Sequence, residues 1–293
     1  MSVKKWLAAN TASLAGKTVA ITGATGARGR ALCHYLAELG AALVLMDRNP
    51  ARSGALREEL LADHAGLRVQ CLPVDLAQME SVRAASEKLN TLPVDAFIHN
   101  AGAYAIPRHT CDTGLDNVFQ INFASPYYLI RELLPTLRAR RGRVVAVGSI
   151  AHDYARSDPA DVDFSTRRRA SLVYGNAKRY LMFALFELFK NEQDVTLAIT
   201  HPGISFTGIT AHYPKPIFAL IKHPMKIIFM KPKKAALSIL RGVFAPTAYG
   251  TWWGPRIFGV WGLPKKKALR TATEIEAAEI AARAERIFAA LKE

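Results

Sequence analysis

Tyr174 and Lys178 stand four residues apart in Y-G-N-A-K, 25 residues after Ser149. On a helix that spacing puts both side chains on one face. A tyrosine titrates near ~10, and a fixed cation beside it favours the phenolate over the phenol. A phenol tuned in this way can serve as general acid and base close to neutral pH. Y-x-x-x-K alone also describes a packed tyrosine with a solvated lysine, so the weight falls on the elements that must position the pair.

The first of these is a place for a nucleotide. Residues 18–22, T-V-A-I-T, form an apolar, β-branched run, followed by G-A-T-G-A-R-G from Gly23 to Gly29. An amphipathic segment then runs from Arg30 to Leu39 and stops at Gly40. Strand, glycine-rich turn and helix in that order make a pyrophosphate cradle: glycines admit the backbone closely, and the free N–H groups of a helix N-terminus face the anion. A second apolar run, Ala42 to Met46, ends at Asp47. An acid about 20 residues past the glycines is placed to accept the hydroxyls of an adenosine ribose.

With these residues in view, the chain resembles the short-chain dehydrogenase/reductase family over about Lys17 to Thr207. The patterns that carry the resemblance occur in the right order. They are T-G-x-x-G-x-x-G from Thr22 to Gly29, with Thr25, Gly26, Ala27 and Arg28 inside it, then Asp75-Leu76 after a third strand, and N-A-G at Asn100, Ala101 and Gly102. Asn122, then Ser149 with Tyr174 and Lys178, and H-P-G-x-x-x-T from His201 through Pro202 and Gly203 to Thr207 complete the set.

The resemblance implies a mechanism. Tyr174 would exchange a proton with the substrate oxygen while hydride moves to or from the nicotinamide, and Ser149 would hold that oxygen in near-attack geometry. Lys178 would bind the nicotinamide ribose and depress the tyrosine pKa, and Asn122 would hold a water linking the lysine to solvent. Asp75 and Leu76 would sit at the adenine, Asn100 to Gly102 on the cofactor floor, and Pro202, Gly203 and Thr207 against the carboxamide or phosphates.

Departures from the family pattern are informative. The commonest glycine loop is G-x-x-x-G-x-G, whereas Gly26 followed by Ala27 gives the spacing of extended and atypical branches, some of which bind cofactor without redox chemistry. A nucleotide-sensing or scaffold protein of that branch is therefore the alternative, opposed by the intact Ser149, Asn122, Tyr174 and Lys178. His99 replaces an asparagine before N-A-G and is expected to be structural. The Ser149-to-Tyr174 gap is about a dozen residues longer than usual by family resemblance; the insert from His152 to Arg169 resembles retinol-dehydrogenase-like members and hints at a bulky apolar alcohol or ketone. For cofactor, Asp47 favours NAD, because its charge repels a 2′-phosphate, while Arg48 and Arg28 could pair with that phosphate and admit NADP.

The 293 residues show no linker or repeat, so one domain, 1–293, is expected. Strand-like runs at 67–74, 94–99, 143–148 and 195–200 alternate with helical stretches near 51–63, 77–90, 112–138 and 171–191. That alternation gives an α/β fold, a doubly wound parallel sheet of Rossmann type with helices on both faces. A substrate lid is expected at about 204–232 and a last helix at about 273–291, opened by a capping box of Thr273 and Glu276. The resemblance also implies a homodimer or homotetramer, with helices containing Leu129 to Leu137 and Leu181 to Phe189 packed between subunits.

Cys33, Cys71 and Cys111 have no metal or redox spacing, and no apolar run approaches the ~18 residues of a spanning helix, so a cytoplasmic setting is expected. The formal charge of +15 is unevenly spread: Val195 to Thr273 contains no Asp or Glu but has twelve Lys or Arg, along with Trp252, Trp253 and Trp261. The stretch fits a solvated surface, a peripheral contact with an anionic membrane, or recognition of an acidic substrate. No motif for nucleic acid accompanies the charge.

Overall fold

The computed structural model describes residues 2–203, 230–269 and 274–293. Its centre is an eight-stranded sheet in the order β3-β2-β1-β4-β5-β6-β7-β8. The strands are β1 (Thr18–Thr22), β2 (Ala42–Asp47), β3 (Val69–Pro73), β4 (Ala96–His99), β5 (Arg143–Val147), β6 (Thr196–Thr200), β7 (Thr251–Ile257) and β8 (Trp261–Ala268). All neighbours through β7 are parallel, and β8 returns antiparallel along β7. β1, β4 and β5 are apolar on both faces because helices cover both, as the alternation requires.

On one face lie α1 (Val3–Asn10), α2 (Ala27–Glu38), α3 (Pro50–Asp63) and, late in the chain, Pro232–Phe244; Leu32, Leu36, Leu237 and Leu240 are fully buried there. On the other lie α4 (Met79–Asn90), α5 (Ser125–Ala139), α6 (Ala170–Leu188) and the final helix Glu274–Lys292. Numbered in order, the two late helices are α7 and α8.

Three local outcomes differ from the sequence pattern. The helix expected from 112 begins at Asn117, because the Asp116 carboxylate caps Val118 N and Phe119 N at 2.9 and 3.3 Å. From Asn117–Phe119 it widens into a π-helical turn, Gln120–Ala124, before α5. Glu276 of α8 is engaged across the fold with Arg179, and its expected capping partner Thr273 lies outside the described residues.

The helices expected between subunits also contribute to the core of the chain. Leu129, Leu133, Leu137, Leu181 and Phe186 are buried within the chain, where Ala277, Ile280, Ala284 and Leu291 of α8 join the same core. A helix of the chain itself covers that apolar face. The outer strand β8 carries Pro264 and three successive lysines, Lys265 to Lys267, which discourage pairing with another edge. The expected lid lies outside the described residues as far as residue 229.

Candidate active site

The glycine loop is closed by contacts that exclude side chains. Gly23 has φ +67°, and a Cβ there would lie 2.9 Å from Ala101 Cα; a Cβ on Gly29 would fall 2.1 Å from the Gly23 carbonyl oxygen. The loop therefore folds flat onto the start of α2, and Gly26 to Gly29 at that helix N-terminus line the cleft. This cradle, its tightness set by two glycines, fits a dinucleotide pyrophosphate.

β1 and β4 are locked together behind it. Thr22 Oγ1 accepts from Asn100 N (3.1 Å) and Ala101 N (3.2 Å), so its own proton goes to His99 Nδ1 at 3.1 Å. The Asn100 amide donates to the Thr22 and Gly23 carbonyls at 3.2 and 2.9 Å. Burial holds His99 well below the usual histidine range, with the Lys178 charge adding, so the ring is neutral.

A cleft of about 500 Å³ crosses the carboxyl ends of the strands. Asp47 and Arg48 line one end, Tyr174 and Lys178 the other. Between them stand Thr22, Gly23, Thr25, Gly26, Ala27, Arg28, Gly29, Asp75, Leu76, Asn100, Ala101 and Gly102. Residues from five stretches of sequence are thus brought to one site. Pro202 and Gly203 follow β6 beside it, with Gly203 (φ +79°) lying against Val260, and Thr207 lies outside the described residues.

At the Asp47 end both carboxylate oxygens are oriented by the glycine loop, accepting from Thr25 N and Thr25 Oγ1 at 3.0 Å each. Burial raises the Asp47 pKa, and the Thr25 bonds oppose that rise. Asp75 Oδ1 accepts from Ala77 N at 3.0 Å, turning the chain out of β3 so that Leu76 reaches the cleft.

At the other end Tyr174 has Ser149 beside it and meets the Tyr104 ring edge-on at 5.3 Å. Lys178 donates to the Val147 carbonyl at 3.0 Å, its ammonium 5.8 Å from the Tyr174 ring centre. The helical pair shares a face as its spacing requires. Burial raises the Tyr174 pKa; the Arg28 charge, then the Ser149 side chain, work against the rise. Burial also brings Lys178 down to about 7, with the Arg28 charge adding.

Arg28 lines the cleft, and its charge acts on Tyr174, Lys178 and His201. The Arg28 charge eases Tyr174 towards its phenolate. A side chain in the first helical turn leans back over the N-terminus, which carries Arg28 into the cleft. Asn122 sits in the π-turn, where its amide donates to Ala103 O and Val118 O at 2.8 Å and accepts from Ala103 N at 3.2 Å. Its contacts clamp the chain that follows N-A-G. Such single π-turns gather at functional sites.

The wall beside Tyr174 is apolar. Phe164 of the insert is buried with Val118 and Val173, and Ile106, Leu172 and Tyr174 pack against them. The insert is ordered by charge: Arg167 pairs with Asp158 (2.7 Å) and Asp161 (3.5 Å), and Arg108 pairs with Asp116 (2.8 Å) while donating to the Phe164 carbonyl (2.9 Å). Arg108 and Arg167 hold this wall in place.

Sequence reasoning missed Arg179. It follows Lys178, is fully buried, and donates through Nε and Nη2 to the two Glu276 oxygens at 2.7 Å each, and through Nη1 to the His152 carbonyl at 2.9 Å. One guanidinium joins the helix of Tyr174, the turn after Ser149 (Ile150–Asp153) and α8.

Comparison with known proteins agrees with this geometry. The family model described as short chain dehydrogenase matches residues 17–158. The chain is 28% identical over 248 residues to polyprenol dehydrogenase of Mus musculus, covering 80% of this chain and 73% of the relative. It is 31% identical over 219 residues to retinol dehydrogenase 14 of Mus musculus, covering 70% and 66%; the chain spans about two thirds of that relative's length. A crystal structure of an uncharacterized protein from Mycobacterium Paratuberculosis superposes with a TM-score of 0.78 at 24% identity, covering 96% of this chain and 97% of the other.

Proposed function

This chain belongs to the short-chain dehydrogenase/reductase family, retinol-dehydrogenase-like in character, and on that premise we propose that it interconverts an apolar alcohol and its carbonyl compound. The family's cofactor is a nicotinamide dinucleotide, which supplies or accepts the hydride when bound. The observation that carries the reading is the convergence of Ser149, Tyr174 and Lys178 at one end of a glycine-floored cleft whose other end presents Asp47.

The residues divide the work. The α2 N-terminus and the Gly23–Gly29 loop bind the pyrophosphate, and Asp75, Leu76 and Asn100 to Gly102 shape the floor. Ser149 donates to the substrate oxygen and fixes its position. Tyr174 gives that oxygen its proton in reduction and removes it in oxidation. Arg28 lowers the cost of the phenolate, and Lys178 offers its amine to the nicotinamide ribose. The apolar insert wall favours a substrate with a hydrocarbon body. The polyprenol and retinol dehydrogenases act, by their names, on such alcohols.

We assign NAD as the preferred form. Asp47 is anchored by Thr25 with its charge at the ribose end, where it repels a 2′-phosphate. Asp47→Ala removes the repulsion and leaves Arg48 and Arg52 to meet the phosphate. Steady-state kcat/KM for the two cofactors is expected to shift towards NADP in this variant; an unchanged ratio removes the role of Asp47.

A further inference from the structure

The hairpin of β7 and β8 ends in a turn that carries side chains against its own conformational preference. Phe258 and Gly259 both have positive φ, +50° and +73°, and Val260 N donates to Ile257 O at 2.9 Å. Three residues, Phe258 to Val260, join the strands in a tight turn whose two central residues are left-handed, a conformation in which Asn or Gly is expected. A bulky phenylalanine in the left-handed region is strained, and burial does not offset the cost: Phe258 is 87% exposed and Ile257 beside it 49%. A strained, exposed aromatic at the tip of a hairpin is selected by nothing inside the fold.

Charge specifies what meets it. Arg256 precedes the exposed pair and is itself exposed, and Lys265 and Lys266 stand exposed further along β8. The tip belongs to the stretch from Val195 to Thr273 that has no acidic residue. An apolar point with cations set back from it matches a surface of apolar depth under an anionic layer. The turn also lies at the active site: Gly259 faces the Ile150 side chain, next to Ser149, and Val260 abuts Gly203.

We propose that the β7–β8 tip docks on an anionic phospholipid bilayer, Phe258 and Ile257 entering the headgroup boundary while Arg256 and the β8 lysines engage the headgroups. The mouth beside Ser149 then faces the lipid, from which an apolar alcohol enters without crossing water. That last step rests on the apolar-substrate reading; vesicle binding is measured without turnover, so the two fail separately.

The experiment is co-sedimentation of the full chain with phosphatidylcholine vesicles, with and without phosphatidylglycerol. Wild type is expected to sediment only with the anionic vesicles and to be released by salt. Phe258→Asn suits the turn better, so its thermal midpoint should equal or exceed that of wild type, while its partitioning falls at least about tenfold. Phe258→Trp should retain binding. Absence of sedimentation, equal sedimentation with both vesicle types, or undiminished binding by Phe258→Asn overturns the proposal. A concentration-dependent dimer lost in Phe258→Asn would assign the tip to a second copy and overturn it equally.

Discussion

Glu276→Ala is expected to destabilise the fold by about 3–5 kcal/mol, the cost of stripping a buried ion of its partner. Arg179 is 0% exposed, and its Nε and Nη2 both go to Glu276, so the variant leaves a guanidinium in the interior with only its remaining contacts. Glu276 also accepts from Ser157 N at 3.3 Å, which ties the insert to α8. The loss is read as a lower denaturation midpoint in urea at unchanged slope. Glu276→Gln keeps the shape and one acceptor oxygen, and should lose less. Equal stability of wild type and Glu276→Ala would mean that α8 is not anchored through this pair.

Tyr174→Phe should lower turnover by about 10²–10⁴-fold, the usual contribution of a positioned acid/base, and leave cofactor binding intact. The pH profile carries further information. Alcohol oxidation needs the phenolate, so its rate rises with pH through the Tyr174 pKa, which burial raises and Arg28 restrains. Removing the arginine charge in Arg28→Leu takes away that restraint and moves the rising limb to higher pH. Carbonyl reduction needs the phenol, so its falling limb moves in the same direction. An unmoved limb in Arg28→Leu would detach the arginine from the tyrosine, and unchanged turnover in Tyr174→Phe would remove the acid/base role itself.

What the sequence made legible was local. Tyr174 and Lys178 share a face because four residues make about one helical turn, and Gly23 to Gly29 announce a tight turn because no other residue fits at Gly29. The strand and helix alternation up to residue 200 was readable for the same reason: apolar periodicity is set by near neighbours. The features that escaped depend on distant partners or on side-chain direction. Arg179 and Glu276 are 97 positions apart, so nothing near Arg179 marks it as paired. The action of the Arg28 charge on Tyr174 depends on how that side chain leans, which the sequence spacing does not encode. The covering of the Leu129 and Leu181 stripes by α8 escaped because an apolar stripe reads alike whether its partner is another subunit or the chain's own last helix. In the β7–β8 hairpin, Gly254, Pro255 and the lysine run obscure the alternation that marks a strand.

The central claim is that the glycine-floored cleft holds a nicotinamide dinucleotide against Tyr174. A thermal-shift titration with NAD, NADH, NADP and NADPH tests it most directly. Binding to the native state stabilises by about 2.7 kcal/mol at a hundredfold excess over the dissociation constant. The account predicts a raised midpoint with NAD and NADH at concentrations where NADP and NADPH give less. No shift with any of the four would contradict it and leave the cleft without the ligand on which the chemistry of Ser149, Tyr174 and Lys178 depends.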